Sequence, residues 1–235
     1  AIDVSTSMLA EDLKPNRLEA AKDVAAEFIN GRPNDNIGIT LFAGETFTQC
    51  PLTVDHAVLL DMIHNIKCGL IEDGTAVGMG VANAVTRLKD SKAKSKVIIL
   101  LTDGTNNKGD ISPLTAAEIA KSFGIRVYTI GVGTNGMAPY PYPVGNTVQY
   151  INMPVEIDEK TLTQIAGTTD GNYFRATSNS KLKEVYEEID KLEKTKLNVK
   201  EYSKREEDYR WFALAAFLCV LLEVLLRNSI LKKIP

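Results

Sequence analysis

The chain has 235 residues, with 27 basic and 30 acidic side chains and a formal charge of −3. No basic surplus points to nucleic acid, and an apolar fraction of 44% suits a globular core rather than a disordered chain. The length fits one large domain plus an appendage.

Only Ala1 and Ile2 precede Asp3, too few residues to cross a sheet. The first strand is therefore expected to begin upstream of residue 1. Residues 17–30 place Leu18, Ala21, Ala25, Phe28 and Ile29 on one helical face, and Gly31 ends that helix. Residues 36–42 (NIGITLF) read as a strand, and residues 46–50 as a short returning edge strand after the Ala43-Gly44 turn. Residues 54–66 form a second helix. Asp73-Gly74 breaks the pattern, and Thr75 opens a third helix to about residue 88.

Residues 96–101 (KVIILL) are a continuous apolar run, as in a strand buried on both faces. A helix over 115–123 and a strand over 125–132 follow. Residues 133–154, rich in Gly, Pro and Tyr, read as a long irregular loop. A helix over 159–166, a short strand over 172–175 and an amphipathic helix over 180–192 complete the series. The alternation predicts an α/β fold, a doubly wound, mainly parallel, Rossmann-like sheet with one short antiparallel edge strand.

In such sheets ligands bind beyond the C-terminal strand ends, at the switch point. Three loops bring oxygen donors there. Asp3, Ser5 and Ser7 follow the first strand, Thr75 opens a helix from a Gly-flanked loop, and Asp103 follows the most apolar strand. An isolated Asp-x-Ser-x-Ser reads equally as a capping turn, but three such loops at one sheet end select a hard cation. Oxygen-only donors suit Mg²⁺, with Ca²⁺ and Mn²⁺ as alternatives, over zinc. Cys50, Cys68 and Cys219 have no CxxC spacing, and His56 and His64 have no third ligand nearby. Cys50 and Cys68 read as separate interior thiols, with a disulfide between them in an oxidising compartment as the alternative.

This constellation resembles a von Willebrand factor A (VWA) domain with a metal-ion-dependent adhesion site. The resemblance covers roughly residues 1–195 and implies Asp3, Ser5, Ser7, Thr75 and Asp103 as the metal set. It also implies one coordination position left for a partner's carboxylate. The family often has Gly where Thr6 stands, which implies a strained angle in that loop. The segments MLAEDLKPNRLEAAK, FAGETFTQCPLT, RLKDSKAKSKVIILLTDG and GIRVYTIGVGTNG are similar to BatA-type membrane proteins of bacterial aerotolerance operons. That likeness implies other Bat-type membrane proteins and a MoxR-type AAA+ ATPase as partners.

Residues 196–210 read as a charged juxtamembrane connector. Residues 211–231 read as a C-terminal transmembrane helix and 232–235 as a basic tail. The run WFALAAFLCVLLEVLL is apolar except for Glu223. Its sixteen residues span about 24 Å, and extension to Leu231 meets the roughly 30 Å hydrocarbon core. Tyr209 and Trp211 would sit at one interface and Arg227 would snorkel. The resemblance implies a bacterial inner-membrane protein with a periplasmic VWA domain.

The function expected is non-enzymatic: a membrane-anchored binding module that recruits an acidic partner residue through Mg²⁺. The alternative is a Mg²⁺-dependent phosphatase-like enzyme with Asp3 as nucleophile. Such folds need a second acid two residues on, where this chain has Ser5. Glu72 and Asp73, beside Thr75, read as groups that support the metal ligands or, more simply, as loop solubilisers.

Overall fold

The computed structural model describes residues 1–145, 147–203 and 209–229. Two compact units divide the chain, Ala1–Leu192 and Glu193–Pro235.

In the first unit, β1 (Ile2–Asp3), β2 (Ile37–Phe42), β3 (Thr46–Thr53), β4 (Val97–Thr102) and β5 (Arg126–Val132) belong to one sheet. A later strand, β8 (Tyr173–Ala176), closes its far edge. The order is β3-β2-β1-β4-β5-β8. Only β3 runs antiparallel, against β2, and it extends past the expected short strand to Thr53. Strands β4 and β5 pair in register from Val97↔Arg126 to Thr102↔Gly131. Both are nearly continuous apolar runs because helices cover both faces.

Helices α1 (Arg17–Asn30), α2 (His56–His64) and α6 (Asn179–Ser203) contribute Leu18, Leu59, Ile63, Leu182 and Ile189 to one core. Helices α3 (Val77–Leu88), α4 (Pro113–Ser122) and α5 (Glu159–Thr168) supply Val77, Val81, Ala116, Leu162 and Ile165 to the other. Local chemistry fixes the helix starts. Asn16, Ser112 and Asp158 each accept a hydrogen bond from the backbone N–H three residues on, and Pro113 fills the first turn of α4. Helix α3 runs very close to the entry of α4. A Cβ on Gly78 would fall 2.1 Å from the carbonyl oxygen of Ile111.

Residues 133–154 differ from the expected irregular loop. Most of them form an antiparallel hairpin, β6 (Met137–Val144) and β7 (Thr147–Pro154), paired from Met137↔Pro154 to Val144↔Thr147. Pro139, Pro141 and Pro143 alternate along β6, so their missing N–H groups all fall on one edge. That edge faces away from β7, since the Pro139 carbonyl accepts a 2.8 Å bond from the Glu11 amide. The ladder to β7 is therefore intact despite three prolines.

In the second unit, α7 (Tyr209–Ser229) is helical where the span was expected. Among the described residues, however, no helix is long and apolar enough to cross a membrane. Glu223 interrupts the apolar run, and Ile230 and Leu231, which the expected span needs for its length, lie outside the described residues. The basic tail at 232–235 lies outside them too, as do the side chains of Tyr209, Trp211 and Arg227. Helix α6 continues into the expected connector as far as Ser203.

Candidate metal site

Strands β1 and β4 are neighbours, and the sheet order reverses between them, so the loops that follow them diverge and leave a cleft. The register Ile2↔Leu101 sets Asp3 beside Thr102. Asp3 is fully buried. Its Oδ2 accepts from the Thr102 hydroxyl at 2.6 Å and its Oδ1 from the Ser5 amide at 3.0 Å. Ser5 Oγ lies 2.9 Å from Ser7 Oγ, and Ser7 Oγ donates to Asp103 Oδ1 at 2.7 Å. Four of the five expected residues thus form one connected set.

Thr75 joins them from the side. A Cβ on Gly104, next to Asp103, would meet the Thr75 hydroxyl at 3.3 Å. The Thr75 amide donates to Asn107 Oδ1 at 2.9 Å, and its carbonyl accepts from the Asn107 amide at 3.0 Å and the Lys108 amide at 3.3 Å. These bonds take Thr75 out of the helix it was expected to open. Helix α3 begins at Val77, and Thr75 stands in the loop before it, with its hydroxyl beside Gly104.

The first loop is not strained at Thr6. Asp170 is the one non-glycine with a positive φ among the described residues, and Thr6 begins a 3₁₀ turn, Thr6–Leu9. Asp73 is more than a loop solubiliser, since it accepts from both the Thr6 amide and the Thr6 hydroxyl. Glu72 pairs instead with Lys108 at the surface.

Sequence reasoning missed the polar groups behind the cleft. Arg17 was read only as the first residue of a helix and Asp12 not at all. The Arg17 guanidinium donates from Nε and Nη2 to the two oxygens of Asp12, and from Nη1 to Asp103 Oδ2, each at 2.7 Å. Side-chain exposure is 4% for Arg17, 2% for Asp12 and 0% for Asp103. The Thr134 amide and hydroxyl hold Asp12 in turn, at 2.8 and 3.1 Å. An Arg five residues after an Asp, across Pro15, carries no specific signal in the sequence.

Electrostatics make this a site short of positive charge. Asp3, Asp12 and Asp103 against Arg17 leave two negative charges if all three acids ionise. Burial pushes Asp3 up to about 7, and the Asp103 charge adds to this, while the bonds from Ser5 and Thr102 oppose it. Burial also raises Asp103, against the pull of Arg17 and Ser7. Burial pushes Asp12 the same way, but the bonds from Arg17 and Thr134 outweigh it and hold Asp12 below the usual carboxylate range. Cys68 donates a weak 3.4 Å bond to the Ser5 carbonyl. Burial and then the nearby acids push its thiol up to about 12, so it stays an unreactive thiol. Cys50, Cys68 and Cys219 are all unpaired.

Among the described residues, no group of three or more His, Cys, Asp or Glu side chains is placed to hold a metal. The donors gathered here are mostly hydroxyls, with two carboxylates. Such a set fits a hard divalent cation that keeps part of its water.

An α/β sheet with paired hydroxyls and two buried aspartates at its switch point has the layout of a doubly wound domain with a ligand cleft at that sheet end. The chain belongs to the von Willebrand factor type A domain family, whose profile matches residues 1–188. It is 34% identical to BatB of Bacteroides thetaiotaomicron, a conserved hypothetical protein of known crystal structure. The match covers 82% of this chain and 96% of that one, with a TM-score of 0.71. An aerotolerance-related membrane protein from Bacteroides fragilis is 31% identical, over 81% and 94% of the two chains, with the same TM-score. Proximal thread matrix protein 1 from the mussel byssus, solved with zinc in its MIDAS motif, is 25% identical over 81% of this chain and 43% of its own, at a TM-score of 0.62. An uncharacterized protein of Borreliella burgdorferi is 27% identical over 99% of this chain and 69% of its own length. A UPF0353 protein of Mycolicibacterium paratuberculosis is 31% identical over 79% of this chain, and the chain spans 56% of it.

Proposed function

We propose that this chain holds a divalent cation, Mg²⁺ in the first instance, at Asp3, Ser5, Ser7, Thr75 and Asp103, and uses it to recruit a carboxylate of a partner protein. The single observation that carries this reading is the connected set Ser5–Ser7–Asp103, with Asp3 bonded to Ser5, at the sheet's switch point. When bound, the cation would supply a positive centre for an incoming Asp or Glu. The zinc-occupied motif of the mussel protein supports a metal role for these positions and leaves the choice of metal to measurement. Hard oxygen donors favour Mg²⁺ or Mn²⁺.

The arrangement supports binding over catalysis. Both Asp3 oxygens already accept hydrogen bonds and the group is buried, so Asp3 is badly placed to attack a phosphoryl group. Ser5 stands where a phosphatase-like fold needs its second acid.

A bacterial inner-membrane setting, with the domain on the periplasmic side, is part of this proposal. Phe217, Leu218, Val220, Leu222 and Val224 are all exposed on α7, which suits burial in lipid or against another helix. The Bacteroides fragilis relative is described as a membrane protein. Bat-type membrane proteins and a MoxR-type ATPase are the partners to look for.

Calorimetric titration with Mg²⁺, Mn²⁺ and Zn²⁺ tests the first half, and capture of partners from membranes with and without chelator tests the second. Native protein should bind the cation and retain its partner only when the cation is present. Binding that is unchanged in Asp103→Ala would refute the metal mechanism.

A further inference from the structure

We infer that Arg17 is the positioning residue of this cation site, fixing the orientation of Asp103 through a fork anchored on Asp12. The inference rests on the cation-binding reading above and extends it behind the cleft.

The geometry is that of a built support. One guanidinium edge binds Asp12 through two parallel bonds, from Nε to Oδ1 and from Nη2 to Oδ2. The remaining nitrogen, Nη1, reaches Asp103 Oδ2. Ser7 engages the other oxygen, Oδ1. With one donor on each oxygen, the Asp103 carboxylate cannot rotate without breaking a charge-assisted or a hydroxyl bond. Lysine could not replace this, because a single ammonium lacks the planar fork that ties one acid to another.

Two further features serve the guanidinium itself. Asp12 is held by the Thr134 amide and hydroxyl, so the anchor belongs to the turn after β5 and not to the metal loop. Gly133, next to it, has φ +143°. A Cβ there would lie 2.8 Å from Arg17 Nη2 and 3.0 Å from Cζ. The backbone at Gly133 thus leaves the space that the guanidinium fills, where any side chain would displace it. Arg17 itself is fixed at the head of α1, where its amide bonds the Ala10 carbonyl at 3.0 Å.

A plain structural ion pair would stabilise the fold and leave cation affinity alone. A positioning residue must change the affinity of a site it does not enter. The test is calorimetric titration of the full chain with Mg²⁺ in native, Arg17→Lys, Asp12→Asn and the double variant, with circular dichroism to confirm folding. Arg17→Lys keeps the charge and loses the fork. Asp12→Asn keeps the guanidinium and loses its anchor. Each should weaken Mg²⁺ binding about tenfold, the usual scale for removing a group that orients a metal ligand. The double variant should lose little more than either single, because both act through one fork. If the first two variants do not fold, Thr134→Val, which removes one bond to Asp12, carries the test with a few-fold loss expected. Native-like Mg²⁺ affinity in the folded variants overturns this inference alone. A native chain that binds neither Mg²⁺ nor Mn²⁺ overturns the cation reading and this one with it.

Discussion

Asp73 accepts two hydrogen bonds from Thr6, 3.0 Å from the amide and 2.8 Å from the hydroxyl. The bonds join the loop after β1 to the loop that presents Thr75, two residues beyond Asp73. A residue that looks like a departure from the family's glycine is thus the clasp between two of the three metal-facing loops. Replacing Thr6 with Gly should remove the hydroxyl bond and free the loop. Mg²⁺ affinity measured by calorimetry should drop several-fold. The melting temperature should fall by only a few degrees, since Asp73 lies at the surface and a lost bond of this kind is worth about 1 kcal/mol.

Asp3 gives the domain an unusual dependence on pH. Its folded-state value lies near 7 against an ordinary 3.8, chiefly because it is buried. A carboxyl raised in this way stabilises the fold fully below its ordinary value, and that contribution is lost as pH rises through about 7. The informative measurement is therefore the difference between native protein and Asp3→Asn, melted in chelator across pH 5 to 8. The variant should gain on native protein as pH rises and show its largest advantage in melting temperature at pH 8. Excess Mg²⁺ should reverse that order at pH 8, because the variant has lost a carboxylate of the site. An order that does not depend on pH would mean that Asp3 is ionised throughout.

Gly133→Ala should be costly although it adds one methyl group. The new Cβ collides with the Arg17 guanidinium, and the backbone at φ +143° resists any side chain. A loss of about 2 kcal/mol or more is expected from strain and from the displaced ion pair together. Chemical denaturation would measure it. Gly136→Ala offers the comparison, since it has a positive φ as well but nothing within 4 Å of the added methyl. The difference between the two isolates the collision.

The hairpin exposes Val148, Tyr150, Ile151 and Met153 on a strand without a charged side chain. Exposed apolar edges of this kind bind hydrophobic dyes and promote self-association. Val148→Lys with Ile151→Lys should lower dye fluorescence and aggregation on heating. The onset of unfolding and Mg²⁺ affinity should not move. A changed Mg²⁺ affinity would show that the strand bears on the cleft.

The sheet was legible where one force dominated. KVIILL can satisfy its apolar length only as a strand covered on both faces, and β4 lies in that place. The hairpin was hidden because proline usually ends a strand, and the rule yields when prolines alternate along one free edge. Thr75 looked like a helix start because it precedes a helical pattern, but side-chain and backbone bonds to Asn107 outcompete the first turn. The five oxygen donors could be found because each follows a strand end or opens a loop. Arg17 and Asp12 could not, since helix periodicity absorbs the one and a loop acid is ordinarily solvated. Only the three-dimensional packing places both beneath Asp103.

The three prolines of β6 also set a limit on stoichiometry. With no donor at Pro139, Pro141 or Pro143 and its outer edge partly covered by Glu11, β6 is a poor template for a neighbouring strand, while β7 pairs with β6 alone among the described residues. A strand that adds to this hairpin should add to β7. If it comes from a second copy, the ribbon ends there, with prolines on both outer rims. The hairpin can take part in one such pairing and is poorly suited to seed a fibre.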